Sequence, residues 1–335
     1  MKDFEKSLAV HHLFFMSDEL KIKSTEILSK GESLVEFCAL LNLHIENNNK
    51  REETDRQLIK IERLRYYHWN TEKKYIEFKI PKKSGGERTI FAPDNFMLKI
   101  QRIIVQILDL YFEHSAESHG FINGRSIVTN AEMHTNKEFV LNVDIENYFP
   151  SIKIFQIRKA LMQEPFNLNS KMASFITRFA TLKGGLPQGA ASSPLISNIV
   201  SNNLDKKLKE FAIKHKQTFT RYADDISFSG YRRIYDQEFF KELNKIFRQE
   251  RFKIKKSKTR IQARNNRQVV TGITVNEKLN VNRKYIRELR VMIHHYKTGR
   301  SADNAFSVIS GKLEFLKMVK GKDRVYKNLM KKFKT

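Results

Sequence analysis

The sequence predicts an α+β protein, with helices and an antiparallel sheet in irregular order. Three observations carry this. Apolar residues recur at spacings of three and four in long stretches near both ends of the chain. Shorter segments between them alternate apolar and polar residues and stop at Gly, Pro or Asp. Two pairs of such segments are joined by turns short enough for hairpins, at Gly85–Gly86 and at Asp224–Asp225, which makes their strands antiparallel.

Each element follows in order. Residues 1–69 read as helical: LVEFCALLNLHIE and DRQLIKIERLRYYHW have helical apolar spacing, with NNNKREETD between them as a polar loop. KKYIEFKI (73–80) alternates as a strand, Pro81 ends it, KKSGGE makes the tip and RTIFAP returns. LKIQRIIVQILDLYF (98–112) is a helix with a broad apolar face. EFVLNVDI (138–145) is a strand that ends on an acid, and a helix follows at 153–163. SSPLISNIVSNNLDKKLKEFA (192–212) opens with serine caps and a first-turn proline, as a helix does. TFTRYADDISFSG (218–230) reads as strand, two-residue turn, strand. FFKELNKIF (239–247) is an amphipathic helix, RQVVTGITV (267–275) a strand, and the chain from 282 is helical and basic. There is no internal repeat and no low-complexity linker.

The chain has 335 residues, 40% apolar and 30% charged, with a formal net charge of +25. It is too apolar for a disordered chain. It has no uncharged apolar run near the ~20 residues that a membrane span needs. The first residues, MKDFEKSLAVHHLFF, carry acids and histidines where a signal peptide needs an apolar core. A reducing cytoplasm is the expected compartment. One cysteine, Cys38, excludes an intrachain disulfide and a Cys-rich zinc site, and is expected as a small buried hydrophobe. The pairs His11–His12 and His294–His295 lack the spacing and partners of a zinc site and are taken as non-functional.

The basic excess is uneven. Residues 1–69 hold 11 basic and 12 acidic residues, so the excess lies beyond them. Residues 251–267 hold eight basic residues and no acid, and 282–335 hold fifteen basic against four acidic. Self-repulsion on this scale points to a polyanionic partner. Nucleic acid is the leading candidate, because neutralised phosphates release counterions; an acidic membrane surface is the other.

Asp224 and Asp225 sit between two apolar strands. Aspartates are common in turns, so turn chemistry alone would explain one such pair. Two adjacent acids also repel, which gains a structure nothing unless a cation sits between them. If the strand ending at Asp144 lies beside this hairpin, the third carboxylate joins them. Three carboxylates without His or Cys suit Mg²⁺, and two such ions are the usual apparatus for in-line attack of a hydroxyl on a phosphate.

With these motifs in place, the chain resembles the reverse transcriptases. YADD (222–225), VDIENYF (143–149) and LPQGAASSP (186–194) match that family's catalytic motifs in order and spacing. The resemblance implies a right-hand polymerase that copies RNA into DNA from deoxynucleoside triphosphates. It implies fingers over 70–137, a palm of antiparallel sheet and helices over 138–281, and a basic helical thumb over 282–335, after a helical region 1–69 with no family motif. NAEMH (130–134) and VTG (270–272) resemble elements of retron reverse transcriptases. With the sequence ending soon after the thumb, no RNase H, maturase or endonuclease domain is expected. Retron kinship implies a cognate structured noncoding RNA as template and priming from a guanosine 2′-hydroxyl. It implies a branched RNA–DNA product, a separate effector protein and a role in bacterial antiphage defence. Group II intron-like, diversity-generating and free-standing enzymes share the palm motifs. A scaffold that grips RNA–DNA and controls a toxin is an alternative of another class.

The resemblance assigns residues. Asp144, Asp224 and Asp225 would bind two Mg²⁺, with the backbone carbonyl of Ile145 as a further oxygen. Phe149 would be the steric gate beneath the sugar, or else an ordinary core ring. Gln188 and Gly189 would meet the incoming nucleotide and the template, and Lys82 and Arg88 would clamp the triphosphate. Lys258 would stand near the pyrophosphate, although Lys255 and Lys256 compete for that role and a solvated lysine face is a further reading. His134 is either satisfied within a helix or, with Asn130, Val270, Thr271 and Gly272, in contact with RNA. Arg283, Lys284, Arg287 and Arg290 would grip RNA from the thumb.

Overall fold

Helices begin where the sequence supplies acceptors for their first amides. In this computed structural model, which describes residues 18–82, 85–300 and 304–334, α1 (Asp18–Lys30) precedes α2 (Leu34–Glu52). Ser33 and Glu36 close a capping box at the start of α2. Then come α3 (Ile61–Trp69), the hairpin β1 (Tyr75–Pro81) and β2 (Glu87–Pro93), α4 (Asn95–Asp109), α5 (Ile127–Glu132) and β3 (Phe139–Asp144). Next are α6 (Tyr148–Ser151), α7 (Ile154–Leu161), α8 (Ser170–Ala180) and the long α9 (Ser193–Lys214). β4 (Thr218–Tyr222), β5 (Asp225–Gly230), α10 (Gln237–Gln249), β6 (Arg260–Ala263), β7 (Val269–Val270) and β8 (Ile273–Thr274) follow. Helices α11 (Arg283–Lys297), α12 (Ala305–Lys320) and α13 (Arg324–Lys334) complete the described chain. Asp94, Ser126, Asp236 and Asn282 each accept an amide at the start of α4, α5, α10 and α11.

By compactness the chain forms two units, each of two stretches: residues up to Ser115 with Asn147–Asn203, and Ala116–Glu146 with Leu204 onward. The first unit is helical around the β1–β2 hairpin. Phe37 of α2 stacks between Phe175 and Phe179 of α8, with ring centroids 5.7 and 5.8 Å apart. Buried Gln101 of α4 donates to Tyr75 Oη (2.7 Å) and to the Phe179 carbonyl (3.0 Å), and accepts from the Ala191 amide (3.1 Å). One polar side chain thus ties hairpin, helix and loop together inside an apolar core, with its groups satisfied.

The second unit is built on an antiparallel sheet in the order β4-β5-β3-β6. Phe228 of β5 meets Phe211 of α9 and Phe239 of α10 edge-on. A second core, with Val270, Ile273, Leu289, Ile293, Ile309 and Leu313, joins the β7–β8 hairpin to the C-terminal helices.

The structure corrects three expectations. NNNKREETD is not a loop up to its end: α2 runs through Glu52, because Asn48 donates to Gln106 of α4 at 3.0 Å and the helix ends only at Glu53, φ 50°. The strand expected over 267–275 is broken into β7 and β8. Thr271 (φ 45°) and Gly272 (φ 85°) both turn left-handed, as a tight hairpin requires. Helix α8 and strand β6 were not anticipated; β6 lies hidden within the basic run. His11 and His12 lie outside the described residues. Cys38 is buried, as expected.

Candidate active site

The register of the second unit's sheet gathers the acids. Asp144, the last residue of β3, lies directly opposite Asp225, the first of β5, and Asp225 also faces Tyr222 of β4. Asp224 is in the turn, and its carbonyl accepts the Ile145 amide at 3.0 Å. The chain after β3 is held by the run before β6: the Lys255 amide donates to the Asp144 carbonyl, and the Glu146 amide to that of Lys253, both at 2.8 Å.

The turn itself is held from behind. Ala223 is left-handed (φ 55°), a conformation that non-glycine residues adopt at a cost. Gly120 lies flat against it: a Cβ there would sit 2.6 Å from the Ala223 nitrogen, so a side chain would displace the turn. Arg221, fully buried in β4, forks onto Asp205 of α9 at 2.6 and 2.7 Å. Its remaining donors reach Ser118 Oγ (3.1 Å) and the Ala223 carbonyl (3.3 Å). Burial pushes the Asp205 carboxyl up, against the pull of that guanidinium.

A hollow of about 500 Å³ opens over the acids, lined by Asp144, Asp225, Lys258, Arg260, Thr271 and Gly272 among others. Asp144 is buried, and its Oδ2 accepts from Lys258 Nζ at 2.5 Å. Asp225 is exposed at the mouth of the hollow, with the other two acids close by. Desolvation, then the charges of Asp224 and Asp144, raise its pKa to about 6, against the pull of Lys258 and Arg260. The ammonium of Lys258 loses some charge stability to burial, yet its pKa is raised, because the bond and charge of Asp144 outweigh that loss.

Among the described residues no three His, Cys, Asp or Glu side chains converge as a finished ligand set. Asp144 is turned to Lys258 instead. The donor chemistry nevertheless fits a hard divalent cation: three carboxylates are brought together by register and turn, with enough mutual repulsion to shift Asp225.

The elements resembling retron motifs meet in this unit, but mostly indoors. Asn130 of α5 donates to Thr271 Oγ1 at 3.4 Å, and Thr271 donates to the Ile127 carbonyl at 3.0 Å. His134 is 0% exposed, with Nδ1 2.7 Å from Ser229 Oγ and Nε2 2.7 Å from Thr220 Oγ1. The expectation of RNA contact is therefore corrected for His134, Asn130 and Val270, which are buried in protein. The imidazole pins the segment after α5 onto the sheet, and burial lowers its pKa to about 3. Thr271 and Gly272 are the part of that motif that reaches the pocket.

The other expected residues are placed as follows. Lys82 is exposed, its amide bonded to the Gly86 carbonyl at 2.9 Å, and Arg88 is exposed on β2. The Gln188 carbonyl accepts from the Phe91 amide at 2.8 Å. Gly189 (φ 117°) passes so close to β2 that a Cβ would lie 2.9 Å from the Phe91 carbonyl oxygen. Half-buried Phe149 packs against Tyr148, whose hydroxyl is anchored on Ser197 and Ser201 of α9. These residues belong to the first unit. Arg283, Lys284, Arg287 and Arg290 are exposed on α11. His294 and His295 are exposed there too. The Arg221–Asp205 fork and Gly120 went unforeseen. Arg221 precedes YADD, but its partner lies sixteen residues away on another element.

Comparison with known proteins gives the family. A model of the reverse transcriptase (RNA-dependent DNA polymerase) family matches residues 80–295, and the chain belongs to that family. Its fold is α+β with an antiparallel sheet, and reverse transcriptases use divalent metal ions. Several of the relatives it matches are retron enzymes, and another is a putative COX1/OXI3 intron 1 protein of Saccharomyces cerevisiae. The chain is 31% identical over 261 residues to the Mx65 retron reverse transcriptase of Myxococcus xanthus, covering 73% of this chain and 61% of that protein. It is 29% identical over 283 residues to the Ec86 retron reverse transcriptase of Escherichia coli, covering 82% and 86%. The chain thus spans about three fifths of the first relative's length. Among solved structures, telomerase from Candida albicans with a telomeric RNA fragment aligns at a TM-score of 0.44 and 12% identity, over 81% of this chain and 61% of that one; a likeness that distant carries no argument. No described helix is long and apolar enough to cross a membrane.

Proposed function

We propose that this chain is a retron-type RNA-directed DNA polymerase that copies a cognate structured noncoding RNA into DNA from deoxynucleoside triphosphates. The observation that carries the reading is the register that sets Asp144 opposite Asp225, with Asp224 at the adjoining turn. In this reading Asp144, Asp224 and Asp225 hold two Mg²⁺, joined by the carbonyl of Ile145. Bound there, the ions would activate the attacking hydroxyl and neutralise charge on the triphosphate.

The protein's own groups then have defined tasks. Lys258 holds Asp144 in place and keeps a cation beside the site of pyrophosphate departure. Lys82 and Arg88 clamp the triphosphate from the fingers. Gln188 and Gly189 line the path of the nucleotide and template, and Phe149 excludes a 2′-hydroxyl beneath the sugar. Arg283, Arg287 and Arg290 recur at helical spacing on α11; with Lys284 they give the thumb a basic face for RNA phosphates. Synthesis begins from a guanosine 2′-hydroxyl and leaves a branched RNA–DNA product. That product acts with a separate effector in antiphage defence in the bacterial cytoplasm.

The test is branched-product formation by the purified chain on its cognate RNA and on a shuffled RNA, with deoxynucleoside triphosphates and Mg²⁺. Asp144→Asn, Asp224→Asn or Asp225→Asn should abolish synthesis and leave RNA binding intact, and truncation before Lys284 should abolish initiation on the cognate RNA. Equal initiation on both RNAs would reduce the reading to a general reverse transcriptase. Normal extension by any of the three mutants would remove that acid from the metal site.

A further inference from the structure

At the open end of the C-terminal helices lies an aromatic hollow that the polymerase chemistry leaves unused. Tyr296 of α11, Phe306 of α12 and Phe333 of α13 come from three different helices. Tyr296 and Phe306 have ring centroids 6.1 Å apart, Tyr296 and Phe333 5.6 Å, and Phe306 and Phe333 stack at 5.2 Å. With Met330 they line a space of about 660 Å³, within the range of small-ligand sites, about 300–1,000 Å³.

Below these rings the core is already closed by Leu289, Ile293, Ile309, Leu313 and Leu329. Packing therefore does not require them to reach outward, yet Phe306 is 57% and Tyr296 37% exposed. Water against stacked rings is costly, so a covering group is favoured.

The rim says what kind of group. Lys297 and Lys334 flank the hollow, and α13 carries five basic residues and no acid. Among the described residues from α11 to α13 the acids Glu288, Glu314 and Asp323 are engaged by Lys284, Lys317 and Lys320. A cationic ligand is repelled. A nucleobase satisfies both features: its π-face stacks on rings, and its own phosphates meet the lysines.

We propose that this hollow is a stacking site for an unpaired nucleobase of a bound nucleic-acid strand, held by Tyr296, Phe306 and Phe333 with Lys297 and Lys334 on the flanking phosphates. The inference rests on the reading of the C-terminal helices as an RNA grip and deepens it: charge supplies affinity, and the rings select a flipped or looped base. The strand is either the template RNA or its DNA copy, since both present the same π-face.

The test uses the full-length protein and short single-stranded RNA or DNA oligonucleotides, each with normal bases or with abasic sites at equal charge. Unmodified protein should bind the base-bearing strand at least roughly five-fold more tightly than the abasic one, the low end for one stacked base. Phe306→Leu with Phe333→Leu keeps apolar volume and should erase that preference, whereas Phe306→Trp should keep it. Lys297→Gln with Lys334→Gln should weaken both strands equally and flatten the salt dependence. A larger ring-dependent loss on RNA or on DNA identifies the source. As a check that needs no variant, 5-iodouridine in the strand should photocrosslink to Tyr296, Phe306 or Phe333. A base preference that survives the leucine variants, or crosslinks only elsewhere, overturns the proposal while the RNA grip stands. Loss of all binding by the C-terminal helices overturns both.

Discussion

Removing the Arg221 guanidinium should separate the stability of the site from its competence. Arg221 and Asp205 are both essentially inaccessible to water, and the fork between them uses both carboxylate oxygens. Arg221→Met leaves Asp205 charged and unpaired indoors, which costs about 3–5 kcal/mol. With an m-value of roughly 3 kcal/mol/M, the urea midpoint should fall by roughly 1–1.7 M. Arg221→Met with Asp205→Leu removes both charges and should recover most of that loss, because apolar replacement of a buried pair is close to neutral. It does not restore the donor to the Ala223 carbonyl or the bond to Ser118. The turn that carries Asp224 is then left without these two supports, with Gly120 packing and its backbone bonds still in place. Primer extension in Mg²⁺ should show a turnover loss of roughly ten- to a hundred-fold, as expected of a small misplacement of reacting groups. The KM for primer–template should stay near that of the unmodified chain. Full turnover in the double variant would show that the fork does not position the acids. A single Arg221→Met within about 1 kcal/mol of the parent would show that the pair is not uncompensated when broken.

Three further outcomes follow from the same geometry. His134 is held neutral with a pKa near 3, against 6.5 when unfolded. A depressed pKa gives stability that is complete above about pH 6.5 and declines as pH falls toward 3, by about 2 kcal/mol at pH 5. The stability gap between the parent and His134→Gln, read by urea unfolding, should therefore narrow from pH 7.5 to 5; a constant gap would mean that the imidazole charges freely in place. Asp225 has a raised pKa, so its charging opposes folding as pH rises from about 4 through about 6. Asp225→Asn should unfold at higher temperature than the parent at pH 7.5 without metal, and Mg²⁺ should stabilise the parent but not the variant; a parent unmoved by Mg²⁺ would count against a metal site. Phe149→Ala should incorporate ribonucleotides in extension reactions with mixed nucleotides, and unchanged sugar discrimination would leave Phe149 as packing.

What could be read from the sequence was local. The hairpin around Asp224–Asp225 and the strand ending at Asp144 follow from alternation and turn residues within a dozen positions. What could not be read depends on distant pairings. His134 bonds to residues 86 and 95 positions away, so neither its burial nor its role is visible from its neighbours. The fork onto Asp205 joins a helix to a strand, and no spacing rule connects the two. Residues 267–275 read as one strand because Val, Thr and Ile favour strands. Thr271 adopts the left-handed turn because Asn130 and the Ile127 carbonyl, from a helix 140 or so residues earlier, hold its hydroxyl. The units also interleave, since β3 and α5 pack with residues beyond 204 while the chain on either side of them belongs elsewhere. Consecutive segments drawn along the sequence cannot express that.

These distant bonds explain why the acids can sit as they do. Left to their side chains, Asp144, Asp224 and Asp225 would separate, since each raises the cost of charging Asp225. Backbone register prevents it. Asp144 and Asp225 are opposite residues of an antiparallel ladder, so pulling them apart means breaking paired strands. The turn cannot swing away while Gly120 and Arg221 hold Ala223. The repulsion is therefore borne by the sheet and by contacts behind it, and the pocket side is left to Lys258 and whatever cation enters. A weaker scaffold would relax this strain by moving the carboxylates, and the affinity for a doubly charged ion would relax with it. Replacing the buried Arg221, Asp205 or Gly120 should therefore displace the acids without removing any group that lines the pocket.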